Sequence, residues 1–259
     1  MKEVFIIIVN FNSQKTVLDC LSCLKYERAE IIVIDNVSTD NSLSLIKRKF
    51  PQVKIIENKS NLGFSTACNI GIKYALKKRA QRVLLLNPDT LPEKDFLEKL
   101  LRKQADIVSP ILKFKRGETW VYDLGGKINW LIGRPYHQES YNPETGKPKS
   151  IDYVSGCCML IKKEVFNEIG FFDERFFLFF EDVDFCLRVK KRDLKVDVSS
   201  NVIVWHKLSE GKKKGWLYHY QILKSNFIFV SKWLPFHKKP LAYGYLLLLG
   251  IKIIFNKLF

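Results

Sequence analysis

Strand-like and helix-like segments alternate through the first hundred residues, and this alternation restricts the fold more than any other feature. VFIIIV (4–9) is a continuous apolar run ended by Asn10, TVLDCLSCL (16–24) has helical spacing, and IIVID (31–35) is again a short buried-strand run. A helix pattern around 41–49, the strand VKIIE (53–57), a helix from about Ser65 to Lys78 and the strand RVLLL (82–86) follow. Such alternation implies right-handed βαβ units and an α/β fold with a mostly parallel sheet flanked by helices. Ligands then bind beyond the carboxyl ends of the strands, near the switch point in strand order. The polar clusters fall there: VNFN after the first strand, DNVSTD after the second, NKSNLGF after the third and NPDT after the fourth.

After about residue 110 the rhythm changes to short strand-like pieces, a Gly/Pro-rich stretch from Gly125 to Ser150, and the segment SGCCMLI (155–161). Helical patterns resume at 163–169 and 180–191, a strand VIVWH closes at His206, and a longer helix is expected from about Gly215 to Trp233. No internal repeat or low-complexity linker divides the chain, so one compact unit with two lobes is expected, the later half mixed and packed against the first. The end differs: LAYGYLLLLGIKIIF (241–255) is apolar except for Lys252, and its fifteen residues are short for a bilayer crossing. Lys232, Lys238, Lys239, Lys252 and Lys257 bracket it. The tail is either a terminal helix packed on the core or a helix lying in an anionic membrane surface.

Charge bears on that choice. The 259 residues are 47% hydrophobic and 27% charged, a composition that excludes disorder, and the net charge of +16 draws the protein to polyanions. That favours the membrane surface for the tail. Nucleic acid is not expected as a partner, because the lysines are scattered rather than interleaved with aromatics and no recognition motif occurs. Six cysteines occur without a secretory signal, since Met1-Lys2-Glu3 leads straight into a run of strand length. They are expected as reduced core thiols of a cytoplasmic protein. Cys20 and Cys23 form a C-x-x-C, but no second pair follows at zinc spacing.

The polar clusters carry the chemistry. Asp89, made rigid by Pro88 just beyond a buried strand, is placed to hold a hard cation by oxygen, although Asn-Pro-Asp is also an ordinary turn. Asp35-Asn36 with Ser38 and Asp40 could line a ligand or cap the next helix, and Asn61-Leu62-Gly63-Phe64 could be a plain turn. In FLFFEDVDFCLR (177–188), Glu181, Asp182 and Asp184 follow four large apolar side chains. At the start of a helix they would favour its dipole, with Asp184 and Arg188 as an i,i+4 pair. The apolar wall before Glu181-Asp182 would in addition raise an acid's pKa and suit it to act as a base.

The set IIIVNFN, VIDNVSTDNS, NLGFSTACNIG, LLLNPDT, VSGCCMLIKKEVFNEIGFFDERFFLFFEDVDFCLR and VWHKLS resembles the family-2 inverting glycosyltransferases of GT-A fold, particularly their bacterial rhamnosyltransferase-like branch. The resemblance covers roughly residues 3 to 230. It implies a nucleotide-diphosphate sugar donor, Mg²⁺ or Mn²⁺, and inversion at the anomeric carbon. Residue by residue, Asp35 matches the acid beside the nucleobase, with Val9 and Asn10 next to it, and Asn61, Gly63 and Asn69 match the segment closing over the nucleotide. Asp89 matches the last acid of the family's D-x-D and would bind the metal. Asn87 stands where its first acid would be, a departure shared by the rhamnosyltransferase-like branch. His206 matches a histidine that completes the metal site in some members, or is structural. Asp182 matches the base that deprotonates the acceptor hydroxyl, with Glu181 as its neighbour or a ligand of that hydroxyl.

On that resemblance residues 1–238 form the GT-A domain, with a nucleotide-binding half to about 110 and an acceptor-side half over 111–238, and 239–259 form the apolar tail. The acceptor would be a glycan or lipid-linked hydroxyl in envelope polysaccharide assembly, reached from the cytoplasm at the inner face of the cell membrane. A catalytically silent nucleotide-sugar-binding or membrane-scaffold relative is the alternative, but it would be expected to lose Asp89 or Asp182. A sugar nucleotidylyltransferase is disfavoured because no Gly-rich, lysine-bearing loop follows the first strand.

Overall fold

The structure, a computed structural model, describes residues 3–142, 150–207 and 215–258, with side chains to Phe255. Residues 143–149 of the Gly/Pro-rich stretch, Leu208 and Ser209 of VWHKLS, and the Lys257 side chain lie outside the described residues. The expected alternation forms β1 (Val4–Asn10), α1 (Val17–Cys23), β2 (Ala29–Asp35), α2 (Ser42–Lys49), β3 (Lys54–Glu57), α3 (Gly63–Lys77) and β4 (Arg82–Leu86). β1 pairs in parallel with β2 and β4, and β2 with β3. Successive residues of β1 enter different cores: Phe5 and Ile7 join the cluster with α3, Ile6 and Ile8 that with α1. Burial on both faces is why these strands read as unbroken apolar runs.

The chain continues through β5 (Thr90–Pro92), α4 (Phe96–Leu101), β6 (Ile107–Arg116), β7 (Thr119–Asn129), β8 (Arg134–Ser140), β9 (Cys158–Lys162), α5 (Lys163–Ile169), α6 (Glu181–Lys190), β10 (Val196–His206), α7 (Trp216–Trp233) and α8 (Lys239–Leu258). Two of these were not expected, β5 and α4, which are too short to show a period, and β8 lies in the stretch read as Gly/Pro-rich. β10 is longer than VIVWH, because its polar first half pairs with β6 until the register shifts between Ser199 and Ile203.

The later half is not a separate lobe packed on the first. β9 pairs antiparallel with both β4 and β6, so ten strands form one sheet in the order β3-β2-β1-β4-β9-β6-β10-β5, with β7 and β8 continuing from β6. β6 and β10 are parallel to each other. The two antiparallel steps through β9 therefore leave β1, β2, β4, β6 and β10 pointing the same way, with their carboxyl ends on one edge. The six cysteines are free, and all but the partly buried Cys23 are buried.

Two ties hold the later helices together. The Asp184 side chain is fully buried, accepts from Arg188 Nε one turn later at 2.9 Å and from Trp233 Nε1 at 2.8 Å, and pairs with Lys232 Nζ at 2.7 Å. The expected i,i+4 pair is thus real, and it also fastens α7 to α6. α8 lays Ala242 and Leu246 into the core cluster that holds Phe229 and Val230 of α7, while Leu247, Leu248 and Ile254 face outward. No helix among the described residues is long and apolar enough to cross a membrane.

Asp184→Ala would leave Arg188 and Lys232 without their shared carboxylate in a largely buried setting. Breaking such a pair is strongly destabilising, so the variant is expected to lose about 3 kcal/mol in urea unfolding; a loss under about 1 kcal/mol would mean that the tie contributes little.

Candidate active site

The loops at the carboxyl edge enclose a cleft of about 250 Å³ lined by Val9, Asn36, Asn61, Gly63, Asn87 and Asp89. Gly63 is required here, because its φ is +79° and a Cβ would lie 2.4 Å from the Phe177 carbonyl oxygen. That oxygen accepts from Phe64 N–H at 2.7 Å. Asn61 Oδ1 accepts from Gly63 N–H at 3.0 Å, and Asn36 Nδ2 donates to Gly63 O at 3.0 Å. The loop is therefore stitched to β2 behind it and to the segment before α6 across from it.

Three expected residues lie behind this cleft rather than in its lining. Asn10 Nδ2 lies 2.7 Å from Asp35 Oδ1 and 2.9 Å from both Ser38 Oγ and Ser42 Oγ, while Asp35 Oδ2 accepts from Ser38 N–H at 3.0 Å. These buried polar groups satisfy one another and join β1, β2 and the start of α2. Asn69 donates to Phe172 O and Glu174 Oε1, each at 2.9 Å, and accepts from Phe172 N–H at 3.0 Å. It clamps α3 to the 172–174 segment.

Asp89 and His206 meet because β5 and β10 pair, with Thr90 opposite His206 in the register. Lys207 N–H donates to Asp89 O at 2.8 Å, and His206 Nε2 stands 3.2 Å from Asp89 Oδ1. That oxygen is buried and accepts no hydrogen bond, so the imidazole is close without being aimed at it. A buried, unpartnered carboxylate oxygen beside an imidazole nitrogen is a fitting donor pair for a divalent cation, and the nitrogen suits Mn²⁺ better than Mg²⁺. No group of three or more His, Cys, Asp or Glu among the described residues could hold a metal. Protein atoms would thus fill only part of a coordination shell. Asn87 is held beside the pair by its N–H to Cys157 O at 2.8 Å and by Thr90 Oγ1 donating to its carbonyl at 2.6 Å.

A second cavity, about 390 Å³, shares Phe64, Asn87 and Leu178 with the cleft and is lined further in by Glu181, Asp182 and His206. Phe179 and Phe180 have φ of +70° and +68°, a conformation strained for side chains with a Cβ. They turn the apolar run so that α6 begins at Glu181. Asp182 Oδ2 accepts from Gly156 N–H at 2.9 Å and Oδ1 from Val183 N–H at 2.8 Å. Burial pushes the Asp182 carboxyl up, while the Gly156 N–H and His137 oppose the rise. Glu181 is pushed well above the usual carboxylate range by burial and then by Asp182, and its Oε2 has no partner. Two adjoining buried carboxyls do not ionise together readily. At Asp182 the Gly156 and Val183 N–H groups and His137 work against the rise, whereas at Glu181 the neighbouring Asp182 adds to it.

The cavity also contains His137, which the sequence did not single out. Its Nδ1 lies 2.8 Å from Asp123 Oδ2, and its ring meets Tyr153 edge-on at 5.5 Å. The residue sits on β8, inside the stretch read as Gly/Pro-rich, and Asp123 is an unremarkable strand acid until β7 pairs with β8. Only the scarcity of histidine, four in the chain, could have drawn notice to it.

Comparison with known proteins accords with this geometry. Residues 5–170 match the family model for glycosyl transferase family 2, a stretch that contains Val9, Asn36, Asn61, Gly63, Asn87 and Asp89 of the cleft but ends before Asp182 and His206. The chain is 27% identical over 207 residues to the low-salt glycan biosynthesis hexosyltransferase Agl10 of Haloferax volcanii, covering 76% of this chain and 64% of that protein. It is 25% identical over 219 residues to the N-acetylglucosaminyl-diphospho-decaprenol L-rhamnosyltransferase of Mycobacterium tuberculosis, covering 73% of this chain and 70% of that protein. In three dimensions it is similar to GalNAc-T7, solved with UDP, GalNAc and Mn²⁺, at a TM-score of 0.68 and 19% identity over 89% of this chain and 48% of that one. The expected GT-A fold is thereby borne out, and the chain belongs to glycosyl transferase family 2.

Proposed function

We propose that the protein is an inverting glycosyltransferase that moves a sugar, rhamnose being favoured, from a nucleotide-diphosphate donor to a hydroxyl of a glycan or lipid-linked acceptor. The observation that carries this is the junction of the two cavities at Asn87, with Asp89 and His206 beside it and Asp182 in the inner one. The rhamnosyltransferase named for a decaprenol-linked acceptor supports both the sugar and the acceptor class. A silent sugar-nucleotide binder would have no use for a buried, hydrogen-bonded Asp182 with a raised pKa.

In this reading the 61–64 loop, fixed by Asn36 and Phe177, closes over the nucleotide, and Asn10 with Asp35 hold the cleft floor rigid. Asp89 Oδ1 and His206 Nε2 would hold Mg²⁺ or Mn²⁺, which when bound stabilises negative charge on a leaving diphosphate. The Asn87 amide donates hydrogen bonds at the junction where a carboxylate would add charge. Asp182, whose two oxygens each keep a lone pair beyond their N–H bonds, takes the proton from the acceptor hydroxyl as that oxygen attacks the anomeric carbon. Protonated Glu181 can donate to the acceptor. A single displacement through one base inverts the configuration.

The outward face of α7 and α8 supports contact with an anionic membrane at its inner surface. Leu247 and Leu248 are each 67% exposed, Lys224, Lys238 and Lys252 flank the face, and no Asp or Glu follows Glu210.

Asp182→Asn preserves shape and hydrogen-bond acceptance by its oxygen but cannot take a proton. Transfer is expected to fall by about 10²–10⁴-fold with donor binding unchanged; a near-parent rate, or a product of retained configuration, would sink the mechanism. Turnover should also decline as pH falls through the raised pKa of Asp182, since protonation removes the base. Asp89→Ala should abolish Mn²⁺-dependent donor binding measured by calorimetry, and His206→Ala should weaken it; unchanged metal dependence in both variants would put the metal elsewhere. Because Ala242 and Leu246 belong to the core, the membrane face is better probed by Leu247→Glu with Ile254→Glu than by truncation. The double variant should no longer sediment with anionic vesicles while keeping donor binding, and undiminished sedimentation would remove this face from consideration.

A further inference from the structure

We propose that Asp123 and His137 form a positioning dyad for the transfer reaction, holding an imidazolium at the wall of the inner cavity that keeps Asp182 in its proton-accepting form. The inference rests on the reading of Asp182 as the base. It starts from geometry: His137 and Asp182 line the same cavity, and the imidazole is anchored from behind by Asp123 Oδ2 at 2.8 Å. Asp123 is itself fixed by Gly125 N–H donating to its Oδ1 at 2.9 Å.

The wall that carries His137 is built to close tolerances. Gly126 pairs with His137 across β7 and β8 and also bridges to Tyr153. A Cβ at Gly126 would lie 2.0 Å from a ring carbon of Tyr153, so the absent side chain is what lets that ring lie edge-on to the imidazole. Tyr153 is buried, and burial followed by the charge of Asp182 pushes its phenol far up, so it stays neutral.

The charges around Asp182 show why a cation is needed. α6 presents Glu181 and the thiol of Cys186, the segment before β9 presents Tyr153 and the Gly156 N–H, β7 presents Asp123, β8 presents His137 and Arg134, and β10 presents His206. Burial favours a protonated Asp182. The charge of His137 lowers the Asp182 carboxyl, and Asp123 and Asp182 in turn raise the His137 imidazole despite its desolvation. Each ion thus holds the other in its charged form. Asp123 keeps the ring oriented and supplies the negative charge that makes the imidazolium persist.

The test is a titration read without turnover. With ¹³C-labelled aspartate, the Asp182 carboxyl resonance, assigned by its absence in Asp182→Asn, is followed against pH in the parent, His137→Gln and Asp123→Asn proteins. Asp182 is expected to titrate about one pH unit higher in His137→Gln and by a smaller step in Asp123→Asn. The acid limb of kcat/KM should move to higher pH by the same amounts, with activity recovering toward the parent level on the alkaline side. Thermal unfolding shows whether each variant is folded, and His137→Lys, which restores a cation, should move the limb back toward its parent position. An unmoved Asp182 titration in folded His137→Gln and Asp123→Asn proteins, or a uniform loss of activity with an unmoved acid limb, overturns the dyad. Failure of the base itself is seen separately, in an Asp182→Asn variant that still turns over.

Discussion

A strand buried on both faces has no room for polar side chains along its length, and the site inherits its layout from that constraint. In β1, β2 and β4 successive residues enter opposite cores. At the carboxyl ends of these strands hydrogen-bonding side chains therefore appear just as the apolar runs stop, at Asn10, Asp35 and Asn87. The parallel pairing that demands this burial also brings those ends to one edge. The two antiparallel steps through β9 extend the same edge to the later half, which is how His206 arrives beside Asp89 from the far side of the sheet.

This explains what was legible in the sequence and what was not. β1 to β4 could be read with boundaries close to those observed because local apolar runs determine them. The clusters after them could be assigned to one edge by topology alone, and the cleft gathers Val9, Asn61, Gly63, Asn87 and Asp89 as expected. What could not be read was the direction of individual side chains. Asn10, Asp35 and Asn69 occur in motifs that face ligand in sequence terms, yet their polar atoms are taken up by one another or by neighbouring backbone. Nothing local distinguishes an amide that binds a ligand from one that joins two elements. His137 escaped notice for a different reason: its role depends on β7–β8 pairing and on Gly126 leaving space for Tyr153, both of which are relations across the chain.

Electrostatics around α6 follow from the same economy of space. Burial raises the pKa of a carboxyl, which helps a base up to the point at which the group ceases to ionise. At Asp182 two backbone N–H groups and an imidazole oppose that rise, whereas Glu181 is raised further by Asp182.

The three acids at the start of α6 show how one helical turn can assign different chemistry to like residues. Residues advance by about 100° per position on a helix, so Glu181, Asp182 and Asp184 leave the axis in different directions. Asp184 points into the core, where Arg188, Lys232 and Trp233 make it a structural anion. Asp182 points to the cavity, where Gly156 holds it from the side opposite Val183. The dipole of the helix favours negative charge at all three and so cannot choose among them. The choice is made by what each direction meets, and that is set by the left-handed turn at Phe179 and Phe180, which fixes the rotation at which α6 begins. Two of the four large apolar residues ahead of the acids thus aim the helix that carries them.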